Sequence, residues 1–223
     1  MSTPHTLKAA IFDWDGTLLD SYHADSQAYL SMFRELGIPW GMEELDHHYS
    51  PDWYNVYRAA GIPESRWIEA DGLWRRSYAE HRPKLMAGAG EVLKQLAPRH
   101  KLGLVTSGDR TRVERQLREF ALLRTFRARV CGGETERNKP DPGPLLAALV
   151  KMRLEAHECV YVGDTPEDLA MSHAAGVRSI AVLGPFSTEK KLRAAKPEFL
   201  LERLEELPGL LHRVYGSGMG KLR

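Results

Sequence analysis

Short apolar segments alternate with helical patterns along most of this chain of 223 residues. Between the segments, apolar side chains recur at helical spacing, as at Val113 and Leu117 or at Leu145 and Leu149. The segments themselves are too short for buried helices and are typical of buried strands. They comprise residues 8–13, 101–106, 128–131, 158–162 and 178–183. Because strands that alternate with helices form covered parallel sheets, we predict an α/β fold with a doubly wound parallel sheet.

Residues 21–82 interrupt this alternation with helical patterns alone and hold 11 of the 19 aromatic side chains. A small helical unit needs large side chains to build a core of its own, and some of these rings can also face a substrate cleft. Both interpretations stay open. We therefore predict two domains, an α/β domain of residues 1–20 and 83–223 and a small α-helical domain of residues 21–82.

Composition excludes several classes of protein. The chain carries 31 Lys and Arg against 30 Asp and Glu, so its charge is too small for a dedicated nucleic-acid binder. Seven arginines lie within residues 110–129, but interleaved acids indicate a solvated helix face. The chain has no run of about 18 apolar residues and no apolar run near its start, which predicts neither a membrane span nor a secretion signal.

The two cysteines, Cys131 and Cys159, form no CxxC pair and lie in apolar strand segments. This usage predicts core thiols without a disulfide, in a protein of the reducing cytoplasm. The glycine-rich segment 216–221 has some likeness to a phosphate-binding loop, but it neither follows a strand nor opens a helix. We therefore give it no role.

Acidic side chains follow the first predicted strand in the sequence Asp13-Trp-Asp15-Gly-Thr. In an open α/β sheet, ligands bind beyond the carboxyl ends of the strands, and residues two apart in a strand point the same way. Two carboxylates emerging together need a shared proton or a cation. A simple Asp-Gly turn is the alternative for this motif taken alone.

Further polar motifs end the later strands. Thr106-Ser107-Gly108 offers a hydroxyl and backbone N–H groups at a predicted helix start, which suits an anion. Lys139 lies in a proline-rich loop, and Asp164 and Asp168 follow the fourth strand. Asp168 also has the position of a helix-capping acid. Together with Asp13 and Asp15, these acids predict an all-oxygen site suited to Mg²⁺.

The chain resembles the haloacid dehalogenase-like hydrolases, specifically the phosphatases with a helical cap after the first strand. Four motifs carry the resemblance in order: Asp13-Trp-Asp-Gly-Thr-Leu-Leu-Asp-Ser21, Leu102-Gly-Leu-Val-Thr-Ser107, Lys139-Pro-Asp-Pro142 and Val162-Gly-Asp-Thr-Pro-Glu-Asp168. The resemblance covers residues 8 to about 210 and implies a Rossmann-like core with Mg²⁺ as cofactor. It also implies that the helical domain is a lid, hinged near residues 18–21 and 83–88.

The resemblance implies a role for each motif residue. Asp13 is the expected nucleophile, and Asp15 the expected general acid and base. Mg²⁺ is expected on Asp13, the backbone carbonyl of Asp15 and Asp164, with Asp168 bound directly or through water. The expected phosphate-binding groups belong to Lys139, Thr106, Ser107 and Gly108. The resemblance separates this chain from the family's dehalogenases, which lack a carboxylate at the place of Asp15.

The expected substrate is a small phosphorylated metabolite, such as phosphoglycolate or a sugar or nucleoside monophosphate. Inorganic pyrophosphate hydrolysis and a β-phosphoglucomutase-like reaction are alternatives within the family. The family's phosphomutases carry a cap histidine where this chain has Asp25, which disfavours the mutase. A phospho-receiver would need neither Asp15 nor a 60-residue insert, and a silent binding protein would not need the motif residues. The oligomeric state is not predictable from these patterns.

Overall fold

The computed structural model describes residues 6–216 and divides the chain into two compact units. One unit runs up to Leu19 and resumes at Leu85, and the other comprises Asp20–Lys84. Most of the start segment and of the glycine-rich segment 216–221 lie outside the described residues. Within residues 6–216, no helix is long and apolar enough to cross a membrane.

A six-stranded sheet with parallel pairing throughout forms the centre of the larger unit. Its strands are β1 (Ala9–Phe12), β4 (Lys101–Asp109), β5 (Ala128–Gly132), β6 (Cys159–Gly163), β7 (Arg178–Val182) and β8 (Phe199–Leu201). A separate two-stranded sheet pairs β2 (Leu19–Asp20) with β3 (Lys84–Leu85). The order β5-β4-β1-β6-β7-β8 places the first strand between two neighbours that come much later in the chain. Ligand sites of open α/β sheets lie at the carboxyl ends of the strands where the strand order reverses.

Helices cover both faces of this sheet, because alternate residues of each strand point to opposite sides. Ala10 and Phe12 of β1 belong to one buried apolar cluster, and Ala9 and Ile11 belong to the other. The helices of this unit are α5 (Ala89–Leu96), α6 (Arg110–Glu119), α7 (Gly143–Met152), α8 (Pro166–Ala174), α9 (Glu189–Ala194) and α10 (Leu207–Tyr215). The predicted doubly wound α/β fold is confirmed.

Two local features differ from the sequence pattern. The strand β8 is not among the predicted segments, since it has only three residues and lies at the sheet edge. Val113, Leu117, Phe120 and Ala121 recur at helical spacing and predict a helix that reaches Ala121, but α6 ends at Glu119. Ala121 has a φ of 57°, in the left-handed region, so the chain has already left the helix there.

The smaller unit is helical and has its own apolar core. Its helices are α1 (Tyr22–Leu36), α2 (Met42–His48), α3 (Trp53–Ala59) and α4 (Trp67–Tyr78). Many of its aromatic rings pack on one another. Tyr54 and Trp67 stack with ring centroids 4.4 Å apart, and Tyr29 meets Trp74 edge-on at 6.2 Å. These rings therefore contribute to a core of the unit's own, as one of the two sequence interpretations requires.

Candidate active site

Three carboxylates from two motifs meet beyond the carboxyl ends of adjacent strands. Asp13 follows β1 directly, and Asp164 follows β6, which pairs with β1 in the sheet. Asp168 lies in the first turn of α8. One oxygen of each of these side chains lies within 4.8 Å of the others, and all three residues are buried. Such proximity of like charges away from water is costly unless a cation compensates.

Lys139 supplies part of that compensation. Its Nζ lies 2.7 Å from Oδ1 of Asp13 and 2.7 Å from Oδ1 of Asp168, and the lysine side chain is 3% exposed. Burial alone works against the ammonium, but the charges of Asp13 and Asp168 outweigh it and raise the pKa of Lys139 above its ordinary value. One lysine leaves this set of three acids with an excess of negative charge.

Burial and this excess of negative charge together raise the pKa values of Asp13 and Asp164. Burial, reinforced by Asp168 and opposed by Lys139, raises the pKa of Asp13 to about 7. Burial and then the charge of Asp13 raise the pKa of Asp164 well above its ordinary value. A divalent cation bound between the acids would relieve this repulsion without a proton.

Asp164 has the geometry of a metal ligand with a free oxygen. Its Oδ1 accepts a hydrogen bond of 2.9 Å from the hydroxyl of Thr17. Its Oδ2 is buried and has no hydrogen-bond partner among the described residues. Buried carboxylate oxygens are hard donors of the kind that Mg²⁺ prefers. The unpartnered oxygen beside two further carboxylates therefore fits a site for a small divalent cation.

Glycines enclose this free oxygen. A Cβ atom added at Gly16 would lie 2.3 Å from Oδ2 of Asp164, and one added at Gly184 would lie 2.5 Å from it. Gly16 also has a φ of 80°, which side-chain-bearing residues rarely adopt. Any side chain at either position would enter the space beside the carboxylate.

Asp168 is fully engaged within the protein. Its Oδ1 accepts from Lys139 and from the hydroxyl of Tyr161, and its Oδ2 accepts from both the backbone N–H and the hydroxyl of Thr165. The predicted capping role is present, because Thr165 is the N-cap of α8 and its hydroxyl accepts from the N–H of Asp168. Since each carboxylate oxygen has two lone pairs, a direct bond to a metal would have to replace one of these hydrogen bonds.

Asp15 has a different partner from Asp13. Its two carboxylate oxygens accept hydrogen bonds of 2.8 and 2.7 Å from Nη1 and Nη2 of Arg112. Arg112 lies in the first turn of α6 and its side chain is only 11% exposed. The prediction that the arginines of residues 110–129 form a solvated face is therefore wrong for Arg112. The sequence signal is weak, because 97 positions separate Arg112 from Asp15.

The segment Thr106–Gly108 differs from its predicted structure. The strand β4 continues through it to Asp109, and Asp109 rather than this segment caps α6, accepting from the N–H of Arg112 at 3.1 Å. The N–H of Gly108 donates to Oγ1 of Thr106 at 3.0 Å, so it is not free for an anion. The prediction of free backbone N–H groups is therefore wrong for Gly108, whereas the anion-binding role of the segment stays a prediction.

Two hydroxyls of the same segment keep the chemistry of a phosphate site. Oγ1 of Thr106, which is buried, accepts from Gly108 and thereby keeps its own hydrogen available as a donor. The hydroxyl of Ser107 is buried and has no hydrogen-bond partner among the described residues. Hydroxyl hydrogens that remain to be satisfied suit an anionic oxygen.

The chain is similar in sequence and fold to known hydrolases and phosphatases. The family model described as haloacid dehalogenase-like hydrolase matches residues 10–182. The chain is 28% identical over 209 residues to pyrophosphatase PpaX of Bacillus pumilus, and the matched region covers 91% of this chain and 95% of that protein. It is 27% identical over 212 residues to phosphoglycolate phosphatase 1 of Pseudomonas aeruginosa, covering 90% of this chain and 78% of the other. A solved hydrolase from Pseudomonas syringae has the same fold, with a TM-score of 0.81, 23% identity, and coverage of 92% of this chain and 97% of that chain.

Proposed function

This chain belongs to the haloacid dehalogenase-like hydrolase family, and on that premise we propose that it is an Mg²⁺-dependent phosphatase of small phosphomonoesters. The observation that carries the proposal is the buried set of Asp13, Asp164 and Asp168 around the ammonium of Lys139. It combines a carboxylate nucleophile, a place for a divalent cation and a fixed positive charge. These are the elements that phosphoryl transfer requires.

The reaction proceeds through two displacements at phosphorus. A carboxylate oxygen of Asp13 attacks the phosphorus atom and forms an aspartyl-phosphate, while the bond between phosphorus and the ester oxygen breaks. The departing oxygen takes a proton from Asp15. Water then attacks the phosphorus, its proton goes to Asp15, and the bond between Asp13 and phosphorus breaks to release inorganic phosphate.

The charge of the transferred group is balanced by groups on this chain. Lys139 uses two of its three N–H donors on Asp13 and Asp168, and the third is left for a phosphoryl oxygen. The hydroxyls of Thr106 and Ser107 provide further donors. Asp13, the backbone carbonyl of Asp15 and Asp164 would hold Mg²⁺, which supplies positive charge that permits an anion to attack an anion. Asp168 acts mainly by holding Lys139 in place.

Two substrate classes have specific support. Similarity to phosphoglycolate phosphatase 1 of Pseudomonas aeruginosa supports a small phosphomonoester as the substrate of this chain. Similarity to pyrophosphatase PpaX of Bacillus pumilus supports pyrophosphate as a second candidate. The two differ in the group that leaves, because an alkoxide needs a proton whereas phosphate does not. The presence of Asp15 beside the nucleophile supports the ester. The lid role of residues 21–82 stays a prediction.

The test is a panel of phosphate esters and pyrophosphate, assayed for phosphate release with Mg²⁺ and with excess EDTA. We expect release that requires Mg²⁺ and that Asp13→Asn reduces by about 10³-fold or more, since the amide is not a nucleophile. Glu202→Gln is the control, because Glu202 is an exposed carboxylate outside the motifs and the hinge segments. Full turnover in EDTA or in Asp13→Asn would refute the mechanism, and the ranking within the panel decides between the two substrate classes.

A further inference from the structure

The ion pair between Arg112 and Asp15 is unusually well defined. The two terminal nitrogens of Arg112, Nη1 and Nη2, each donate to a different oxygen of Asp15, at 2.8 and 2.7 Å, which makes the pair bidentate. The Arg112 side chain is 11% exposed and that of Asp15 is 20% exposed, so the pair is largely withdrawn from water. The other arginine side chains of α6, those of Arg110, Arg115 and Arg118, are 40% exposed or more. Arg112 is therefore the least exposed arginine of this helix.

Neighbouring residues hold the guanidinium in turn. Oε1 of Gln116, one turn further along α6, accepts from Nη1 of Arg112 at 3.3 Å and from the indole nitrogen of Trp14 at 2.9 Å. Trp14 is fully buried between Asp13 and Asp15 in the chain. Gly108 leaves the necessary space, because a Cβ added there would lie 2.1 Å from Nη2 of Arg112. Trp14, Gln116 and Arg112 thus form a chain of hydrogen bonds that supports the carboxylate of Asp15.

We propose that Arg112 is a positioning residue that holds the carboxyl group of Asp15 in the orientation from which it protonates the leaving group. The inference rests on the proposed function. Arg112 binds both carboxylate oxygens of Asp15 and so fixes the plane of the carboxyl group, which sets the direction from which a proton reaches the leaving oxygen. When the ester bond breaks, that proton moves to the departing oxygen, and Arg112 stabilises the carboxylate that remains. The water attacking the aspartyl-phosphate later returns a proton to the same group.

This role predicts a dependence on the leaving group. An alkyl phosphate releases a strongly basic alkoxide that needs the proton of Asp15, whereas p-nitrophenyl phosphate releases a weakly basic phenolate that does not. The value of kcat/KM reports the steps up to formation of the aspartyl-phosphate, and it is unaffected by the later hydrolysis that both substrates share. The ratio of kcat/KM for the two esters therefore isolates proton donation.

The experiment compares Arg112→Met with wild type on p-nitrophenyl phosphate and on the best alkyl monophosphate of the panel. We expect kcat/KM to fall by about 10- to 100-fold for the alkyl ester and by less than about threefold for the aryl ester. Arg115→Met is the matched control on the same helix, because Arg115 is exposed and its pair with Glu119 spans 3.8 Å. Arg112→Lys keeps the charge without the second hydrogen bond and should lie between the two.

A double-mutant cycle ties the effect to Asp15. In an Asp15→Asn background, Arg112→Met should cause no further loss on the alkyl ester, because the group it positions is already gone. Equal losses on both esters, or a further loss in that background, would overturn the inference and instead indicate that Arg112 binds the phosphoryl group or supports the fold. If Arg112→Met does not fold, the ratio measured for Arg112→Lys decides. Wild-type protein that hydrolyses neither ester would refute the proposed function itself.

Discussion

Replacing Lys139 by methionine should destabilise the metal-free protein strongly, and the loss should depend on pH. The ammonium lies 2.7 Å from an oxygen of both Asp13 and Asp168 and is 3% exposed, so its removal leaves two buried acids without their counter-charge. Removing one partner of a buried ion pair costs about 3–5 kcal/mol of unfolding free energy. In a chain of this length, each kcal/mol of lost unfolding free energy lowers the thermal midpoint by about 2–4 °C.

The pH dependence follows from Asp13. Burial raises its folded-state pKa from an ordinary 3.8 to about 7, even though Lys139 opposes the shift, so the pKa is higher still in Lys139→Met. As pH rises from 3.8 to about 7, Asp13 lowers the stability of both proteins equally, because folded Asp13 keeps a proton that the unfolded chain releases. Above about 7 the contribution of Asp13 to this loss ends in the wild type, whereas in the variant Asp13 continues to cost up to about 1.4 kcal/mol per pH unit.

Urea unfolding followed by circular dichroism in EDTA, at about pH 6 and about pH 8.5, measures both effects. We expect a stability difference between wild type and variant that is larger at the higher pH. Lys151→Met is the control, since Lys151 is 47% exposed and should lose less than about 1 kcal/mol at either pH. A difference that is equal at the two pH values, or a variant as stable as wild type at the higher pH, would refute the electrostatic reasoning.

Three further predictions concern the metal site, its glycines and the thiols. In a thermal melt, Mg²⁺ should raise the thermal midpoint of unfolding relative to EDTA. The increase should be larger at pH 8 than at pH 6, because the carboxyl groups must lose protons to bind the ion, and Asp164→Asn should abolish it. Gly16→Ala should lower the free energy of unfolding, measured in urea, more than Gly61→Ala does. Both glycines have a left-handed φ, but only at Gly16 would the new Cβ lie 2.3 Å from Asp164. Equal losses would contradict this reasoning. Cys131 and Cys159 of the folded protein should react slowly with iodoacetamide near pH 8, since burial raises their pKa values to about 11 and about 12. Labelling is measured by mass spectrometry, and a rate equal to that of the urea-unfolded protein would contradict this.

The sequence alone determines the fold class and the convergence of the acidic motifs. Apolar segments bounded by polar motifs report strands, and parallel strands bring their carboxyl ends to one edge of the sheet. For that reason Asp13, Lys139 and Asp164 are predictable neighbours, although 126 positions separate Asp13 from Lys139. The helix start at Thr165 is also predictable, because a capping box is a local pattern.

Tertiary structure alone decides which charge faces which. Arg112 looks like the other arginines of its helix, and only the packing of α6 against the first strand's loop gives it Asp15 as partner. In the same way, the hydrogen bonds that Asp168 accepts from Lys139 and Tyr161 depend on neighbours from other elements. The periodicity of a sequence records which side chains are buried, since burial follows from local geometry. Hydrogen bonds between distant residues depend on distances of a few tenths of an ångström, which only the packed structure sets.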